Sequence, residues 1–136
     1  MEERRYCHKV QYYETDQMKV VHHSNYIRWF EEARTDYMSQ VGVPYAEVER
    51  AGIIIPVVDV SCKYKKMTRF GETVEIITRV TKFNGVIMEC EYEVYGQENQ
   101  ELKVTGTSSH CFLDKDYKVV SLKRKYPDIY EKLLKA

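Results

Sequence analysis

Hydrophobic and polar positions alternate at the start of the chain and then change to a helical spacing. Residues 5–13 alternate, which predicts a β-strand. One side of this strand holds Tyr6, His8, Val10 and Tyr12. From residue 24 onwards, the large apolar residues recur at every third or fourth position: Tyr26, Trp29, Phe30, Ala33, Tyr37 and Val41. This second spacing predicts a long helix with one bulky, buried face.

Capping residues indicate where this helix begins and ends. Ser24 or Asn25 suits the N-cap, because both side chains can accept a hydrogen bond from a free N–H group. Gly42 suits the C-terminal stop. A short second helix should follow, with Pro44 in its first position and Gly52 at its end.

Strand patterns separated by turn residues dominate the rest of the chain. The stretches concerned are IIIPVVDVSCKYKKM, TVEIITRVTKF, VIMECEYEVYG and ELKVTGTSSHCFLD. Asn84-Gly85 separates the second stretch from the third, and this dipeptide predicts a tight antiparallel hairpin with positive φ at both residues. A last helix is expected to begin at Pro127.

The order of strand, long helix and several antiparallel strands predicts an α+β fold. The bulky face of the helix must be buried, and only the concave face of a curved sheet is large enough to cover it. We expect residues 1–136 to form one domain, since a chain of this length buries roughly two-thirds of its unfolded surface.

Composition limits the classes of partner. Lys plus Arg and Asp plus Glu both number 21, so no overall basic charge attracts nucleic acid. No apolar run is long enough to span a membrane, and MEERRYCHKV at the N-terminus lacks the apolar core of a secretion signal. The four cysteines are widely spaced and are typical of small apolar strand residues in a reducing compartment. A cytoplasmic protein is expected.

The stretch ETDQMKVVHHSNYIRWFEEAR, residues 14–34, holds carboxylates and histidines directly before the long helix. Asp16 lies a few residues before the helix N-terminus, where free backbone N–H groups can bind an oxyanion. Tyr26 and Trp29 supply apolar walls that would exclude water. A carboxylate beside an oxyanion site indicates acyl chemistry, with Asp16 as nucleophile or general base.

This stretch also allows two simpler interpretations. A metal site is disfavoured, because the adjacent His22 and His23 should point in different directions and zinc ligands usually stand two or more residues apart. Alternatively, Asp16 is only a turn residue and residues 22–25 are a polar entry to the helix. The position of the carboxylate before the helix N-terminus favours the chemical interpretation.

The same stretch, together with IIIPVVDVSCKYKKMTRFGETVEIITRV, resembles the hotdog-fold acyl-CoA thioesterases. The likeness is to the branch that contains 4-hydroxybenzoyl-CoA thioesterase and the Tol-Pal-associated thioesterases, and it covers most of the chain. It implies a curved antiparallel sheet wrapped around one long central helix. It also implies hydrolysis of acyl-CoA to free acid and CoA without a cofactor or metal. Asp16 then falls on the catalytic carboxylate, and the backbone N–H of His23 falls on the group that polarises the thioester carbonyl.

The resemblance also implies how CoA is bound. Family members form homodimers and often tetramers, and they bind CoA at a subunit boundary, with basic side chains near its phosphates. The candidates for those basic side chains are Lys63, Lys65, Lys66 and Arg69. Tyr26 is the candidate for an apolar wall beside the substrate.

Departures from the family pattern leave two other functions open. Gln17, Met18 and Lys19 stand where the family commonly has small residues, so the loop that follows Asp16 is expected to differ in shape. A dehydratase or hydratase would use the side chain of His23 as acid or base. A non-catalytic acyl-CoA-binding module would use the same cleft without turnover.

Overall fold

The computed structural model describes residues 5–136. Residues 1–4, on which part of the expectation about a secretion signal rests, lie outside the described residues. The strands and helices follow one another as β1 Arg5–Lys9, α1 Ser24–Gln40, α2 Tyr45–Arg50, β2 Val57–Tyr64, β3 Thr73–Phe83, β4 Ile87–Gly96, β5 Leu102–Cys111, α3 Leu122–Lys125 and α4 Pro127–Leu134. The four cysteines all lie in strands and none forms a disulfide.

The five strands form one antiparallel sheet in the order β1-β3-β4-β5-β2. Helix α1 packs against β1, β2 and β3. The buried residues of α1 are Asn25, Tyr26, Trp29, Phe30, Ala33, Tyr37 and Met38. They join the sheet residues in a single hydrophobic core. Five of the six residues of the predicted stripe are therefore buried in α1, whereas Val41 follows the helix and is partly buried. The α+β architecture of one central helix against a segregated sheet is present.

One glycine explains how closely α1 approaches the sheet. The ring of Phe30 stacks on that of Tyr92, with 4.4 Å between centroids. A Cβ atom at Gly106 on β5 would lie 2.3 Å from Cε2 of Phe30 and 2.8 Å from the backbone oxygen of Ser61. Such distances are too short for a side chain, so only glycine permits the Phe30 ring to lie against β5.

The first strand is shorter than the alternation predicted. It ends at Lys9, and residues Tyr12–Glu14 form a 3₁₀ turn in which Tyr12 is 77% exposed. The backbone N–H of Gln11 donates to the Glu14 carboxylate at 2.8 Å instead of continuing the sheet. A local bond from side chain to backbone thus competes with strand pairing and ends the strand.

The β3–β4 hairpin forms as expected, but its turn differs. Only Gly85 has positive φ, at 87°, and three residues connect the strands. Asn84 instead uses its side-chain Oδ1 to accept hydrogen bonds from the N–H groups of Val86 and Ile87. The prediction of two positive-φ residues was therefore wrong, because the Asn side chain stabilises the turn directly.

Helix boundaries follow the sequence signals closely. Gly42 has a φ of 93° just after α1, and Gly52 has a φ of 76° after α2, as expected for helix stops. Pro44 is the residue before α2 and not its first residue. The short helix α3 was not predicted, although its Leu122 is fully buried. No helix in the described part of the chain is long and apolar enough to cross a membrane.

The β2 edge of the sheet is unusually apolar. It pairs with β5 on one side only. Val57, Val58 and Val60 are 52%, 65% and 36% exposed. An edge strand with free backbone groups and exposed valines is the kind of surface that proteins normally cover or guard with charge.

Candidate active site

The loop between β1 and α1 folds back on itself around Asp16. Thr15 and Val21 form a β-bridge, and the N–H of Asp16 donates to the carbonyl of Val20 at 2.9 Å. The Asp16 Oδ1 atom accepts the N–H of Met18 at 2.8 Å. Within residues 5–136 no group is hydrogen-bonded to the other carboxylate oxygen. Asp16 is partly exposed, so that oxygen is available to a reactant.

Lys19 completes this loop in a strained conformation. Its φ is 64°, and its N–H donates to the carbonyl of Asp16 at 3.0 Å. The left-handed region is unfavourable for a residue with a Cβ atom. The loop therefore uses the positive φ that a glycine would supply without strain, although the chain has Lys at this position.

We predict that Lys19→Gly raises the free energy of unfolding by about 0.5–1 kcal/mol, because relief of the left-handed strain exceeds the extra freedom of Gly in the unfolded chain. Urea unfolding measures this. The control is Lys19→Ala, which removes the charge and keeps the Cβ atom, and which should leave stability unchanged. A gain with Ala as large as that with Gly would show that φ at this position is not the cause.

A buried carboxylate, Glu14, fixes the loop to the helix. Glu14 is only 5% exposed, and three donors hold its oxygens: Nε2 of His8 at 2.8 Å, the N–H of Gln11 at 2.8 Å and Nε1 of Trp29 at 2.7 Å. Burial alone would raise its pKa. The bonds from Gln11, His8 and Trp29 outweigh burial and hold the pKa of Glu14 below its usual value.

The backbone carbonyl of Glu14 makes a second set of contacts, with the beginning of α1. It accepts the N–H of His22 at 2.8 Å and Nδ2 of Asn25 at 2.9 Å. Both ends of the loop are thereby joined, with Asp16 at one end and the helix N-terminus at the other. Sequence reasoning missed this role of Glu14, because its partners come from separate parts of the chain.

The helix N-terminus differs from the expected capped form. Helix α1 starts at Ser24, and His23 is the preceding residue, with helical φ and ψ of −54° and −29°. The side chain of His23 makes no capping bond, and Nδ1 of His22 accepts the N–H of Ser24 at 3.3 Å. The prediction of Ser24 or Asn25 as N-cap was wrong, because the Asn25 amide is already bonded to the carbonyls of Glu14 and His22. In the described chain the N–H of His23 has no acceptor, so it remains free to bind one.

The imidazoles of His22 and His23 are exposed and stack on each other, with 4.2 Å between centroids. Nδ1 of His22 is hydrogen-bonded to Oγ of Ser24 at 2.9 Å. The side chain of His23 forms no hydrogen bond within the part of the chain that the structure describes. Its ring packs edge-on against Tyr64 at 6.1 Å.

Tyr26 forms the inner wall beside this site. It is 3% exposed, and its hydroxyl donates to Oγ1 of the buried Thr68 at 3.0 Å. Burial raises the pKa of Tyr26, so the phenol stays protonated at neutral pH. Tyr64, at the end of β2, lies 5.6 Å from the Tyr26 ring and donates its hydroxyl to the carbonyl of His23 at 3.2 Å. Sequence reasoning did not identify Thr68 or Tyr64.

Among the predicted basic residues, the structure shows a contact with the Asp16 loop for Arg69. The backbone of Arg69 forms a β-bridge with Val20, which brings Arg69 beside the Asp16 loop. Lys65 follows β2, and its N–H donates to the carbonyl of Lys103 at 2.9 Å. The side chains of Lys63, Lys65, Lys66 and Arg69 are all exposed, and none forms a salt bridge within residues 5–136.

Comparison with known proteins gives consistent matches over nearly the full chain. A family model described as the thioesterase-like superfamily matches residues 10–136. The protein YneP of Bacillus subtilis, which carries the name of an acyl-CoA thioesterase, is 37% identical over 93% of this chain and 94% of its own length.

Solved structures also match this chain over nearly its full length. A DHNA-CoA thioesterase from Staphylococcus aureus is 38% identical, with a TM-score of 0.94, and the alignment covers 99% of this chain and 91% of that one. A hypothetical protein from Thermus thermophilus, TT1821, is 34% identical, with a TM-score of 0.88 and 96% of both chains covered. The arrangement of one central helix and a five-stranded antiparallel sheet is thus shared with known thioesterase structures.

Proposed function

The chain belongs to the thioesterase-like superfamily and is a thioester hydrolase with the hotdog fold, and on this premise we propose that it hydrolyses acyl-CoA through Asp16. The products are the free acid and CoA. The observation that carries this proposal is a carboxylate with one free oxygen in a loop that is bonded to the beginning of α1, where the N–H of His23 has no acceptor within residues 5–136. Membership of the branch that contains 4-hydroxybenzoyl-CoA thioesterase is part of the same proposal and rests on the sequence motifs.

The thioester carbonyl is polarised by the backbone N–H of His23, which has no other acceptor. The positive end of the α1 dipole adds to this stabilisation. Oxyanion donors of this kind typically lower the barrier by ~3–4 kcal/mol each. The thiolate of CoA is a good leaving group, so no strong general acid is required to expel it.

Asp16 can act in two ways within this geometry. As general base, it takes a proton from a water molecule, whose oxygen attacks the carbonyl carbon while the C–S bond breaks. As nucleophile, it attacks the carbon itself to form an anhydride, which water then hydrolyses to acid and free Asp16. In either case one water is consumed and one thiol is released.

We assign the remaining predicted residues to substrate binding. Tyr26 bounds the reacting group and excludes water from it, and the exposed side chains of Lys65 and Arg69 bind CoA phosphates. Cations next to phosphates make binding sensitive to ionic strength, so KM should rise with added salt.

The β2 edge supports pairing of two copies into a continuous sheet. We predict that Val60→Lys converts a wild-type dimer into monomers, because a lysine on an edge strand opposes pairing with a second strand. Light scattering measures the mass. The control is Val119→Lys, an exposed valine outside β2, which should leave the dimer intact. A dimer that persists with Val60→Lys would show that β2 is not the interface.

A thiol-release screen tests the function. CoA thioesters with short, long and aromatic acyl groups are supplied to wild type. The aromatic members are included because one similar protein is named a DHNA-CoA thioesterase and another a 1,4-dihydroxy-2-naphthoyl-CoA hydrolase. Release of CoA from at least one member is expected. Tight binding with no release over hours would favour the binding module. Enoyl hydration that needs the His23 side chain would favour the hydratase.

A further inference from the structure

Large apolar side chains are exposed in two segments around the Asp16 loop, residues 12–19 and residues 65–70. These side chains, each between 58% and 79% exposed, are Tyr12, Tyr13, Met18, Met67 and Phe70. A single exposed apolar side chain is ordinary, whereas a contiguous group on a folded domain marks an interaction surface. The packing of the two segments decides which case applies.

The backbone and one ring contact hold the two segments side by side. Val20 and Arg69 form a β-bridge. The rings of Tyr12 and Phe70 meet edge-on, with 5.9 Å between centroids. Because neighbouring extended segments lie about 5 Å apart, the exposed side chains of the two segments form one continuous surface.

A buried lysine holds the second segment in place. Lys103 is only 7% exposed, and its Nζ donates to the carbonyl of Met67 at 3.0 Å. The same Nζ lies 3.3 Å from Oε1 of Glu101 and 3.6 Å from Oε2 of Glu72. Lys103 therefore neutralises two carboxylates beside this segment, and neither of them pairs with the exposed cations of the segment.

The two segments also carry four exposed cations, which are Lys19, Lys65, Lys66 and Arg69. Within residues 5–136 none of the four forms a salt bridge. The carboxylates of the segments are Asp16 and Glu14, and Glu14 is buried and held by three donors. Because the whole chain has a formal net charge of zero, this excess of positive charge is local. The five apolar side chains and the four cations together are called the aromatic–basic surface below.

The composition of the aromatic–basic surface favours lipid over protein as its partner. Tyrosine is enriched where a membrane meets water, because its ring is apolar and its hydroxyl stays hydrated. Lysine and arginine side chains beside such rings attract the phosphates of anionic lipids. Three of the four cations are lysines, and lysine is depleted in interfaces between proteins.

We propose that the aromatic–basic surface binds the headgroup region of a bilayer that contains anionic lipids. Tyr13 and Phe70 enter the interface between water and lipid, and Lys19 and Lys66 lie beside lipid phosphates. Lys65 and Arg69 remain assigned to the phosphates of CoA. The protein then binds to the surface of the bilayer through loops, with no segment crossing it.

The position of Asp16 gives this binding a consequence for the substrate. Asp16 lies between Tyr13 and Met18 in the first segment, so a bound protein carries its candidate site at the lipid surface. Each added CH₂ group strengthens the partition of an acyl chain into lipid. Thioesters with long acyl chains are therefore concentrated at the surface where the bound protein meets them.

Vesicle flotation tests the proposal. Wild type is mixed with vesicles of phosphatidylglycerol and phosphatidylcholine in equal parts, and separately with vesicles of phosphatidylcholine alone. At low ionic strength it should float with the anionic vesicles and bind the neutral ones at least roughly 10-fold more weakly. Added salt should release it from the anionic vesicles, because salt screens the attraction between the cations and the phosphates.

Two double variants separate the apolar contribution from the charged one. Tyr13→Ser with Phe70→Ser should lower the partition coefficient for the anionic vesicles by roughly 10-fold, because two apolar side chains no longer leave water. Lys19→Gln with Lys66→Gln should lower it by a similar factor through the loss of two charges. All four side chains are exposed, so both variants should fold, and circular dichroism verifies this.

The turn at residues 114–119 supplies matched controls outside the aromatic–basic surface. Tyr117→Ser with Val119→Ser removes two apolar side chains that are 75% and 64% exposed. Lys115→Gln with Lys118→Gln removes two exposed cations from the same turn. Both controls should bind the anionic vesicles as wild type does.

Several outcomes would overturn the proposal. They are wild type that does not float, equal binding to neutral and anionic vesicles, and losses in the controls as large as those in the surface variants. Absence of flotation together with a loss of dimer mass in Tyr13→Ser with Phe70→Ser would assign the surface to a second copy. Absence of flotation together with a raised KM of Lys19→Gln with Lys66→Gln for a thioester carried on an acidic protein would assign it to a protein partner.

This inference and the proposed function can fail separately. Flotation is measured without substrate, so loss of the assignment of Asp16 leaves the lipid-binding result unchanged. Conversely, thioester turnover that requires Asp16 in a protein that does not float would overturn this inference alone.

Discussion

Asp16→Asn should give a folded protein whose kcat for thioester hydrolysis is roughly 10²–10⁴-fold below that of wild type. The Asn side-chain oxygen can still accept the N–H of Met18, so the loop should keep its shape. What is lost is the carboxylate that activates water or attacks the carbonyl carbon. The measurement is thiol release under saturating acyl-CoA, with circular dichroism to verify the fold.

The matched control is Asp36→Asn on the same helix that follows the loop. Asp36 is partly buried and accepts one hydrogen bond from Nε2 of Gln40 at 2.6 Å, so the substitution removes an equivalent charge outside the site. Its turnover should equal that of wild type. Undiminished turnover by a well-folded Asp16→Asn protein would remove Asp16 from the mechanism, and an equal loss in both variants would indicate a general effect of charge.

The long-range fold could be predicted because periodicity is a local property. The apolar stripe of Tyr26, Trp29 and Phe30 must be covered by a large apolar surface. The strand patterns that follow predict a sheet, which is the only element large enough to cover it. The sequence could not show that Phe30 lies against Gly106, since that contact joins residues far apart in the chain. Nor could it show where β1 ends, because the Glu14 side chain competes for the N–H of Gln11.

Part of the candidate site could likewise be predicted from the sequence, and part could not. Asp16 and the N–H of His23 could be identified because a loop before a helix N-terminus is visible in the order of residues. The contacts that hold this site depend on tertiary pairs, such as Tyr26 with Thr68 and Tyr64 with His23. Their side chains are ordinary Thr and Tyr residues in the sequence, so no local signal distinguished them.

Arg34 shows a further limit. On the helix it lies next to the buried stripe, where an arginine is most simply interpreted as a solvated residue. In the structure it is half-buried and donates to the Tyr92 hydroxyl at 3.3 Å, and Ser108 and His110 continue this chain of hydrogen bonds. A chain of four side chains from three elements cannot be inferred from spacing.

Glu14→Gln should lower the free energy of unfolding by about 3 kcal/mol at neutral pH and should also reduce turnover. The Gln amide has the size of the carboxylate, but its NH₂ group would face N–H donors from His8, Gln11 or Trp29 in a buried site. Bonds to a charged acceptor contribute about 1.5–3 kcal/mol each, and an unpaired buried donor adds a further cost. Turnover falls because the loop that carries Asp16 loses its attachment to α1.

The loss of stability that Glu14→Gln causes should depend on pH, and its direction follows from the pKa of Glu14. The pKa of Glu14 is lower in the folded protein than in the unfolded chain, so on acidification the unfolded chain takes up the proton first. The stabilisation is therefore complete above the ordinary carboxyl pKa and disappears as the pH falls through the lowered value. The difference between wild type and Glu14→Gln should accordingly shrink in acid, and contributions common to both, such as that of neutral His110, cancel in this difference.

Urea unfolding at a series of pH values provides the measurement, with Glu32→Gln as the control. Glu32 is an exposed carboxylate on α1 that accepts one hydrogen bond, from the Tyr6 hydroxyl at 2.9 Å, and its Oε1 lies 3.9 Å from Nδ1 of His8. Because Glu32 is exposed, its replacement should change stability by less than about 1 kcal/mol at any pH. A Glu14→Gln protein that differs from wild type equally at neutral and acid pH would mean that shape, and not the charge of the carboxylate, stabilises this loop. A variant as stable as wild type at neutral pH would mean that the bonds from the three donors to Glu14 do not stabilise the protein. The Asp16 loop would then be attached to α1 only by the bonds from His22 and Asn25 to the backbone carbonyl of Glu14.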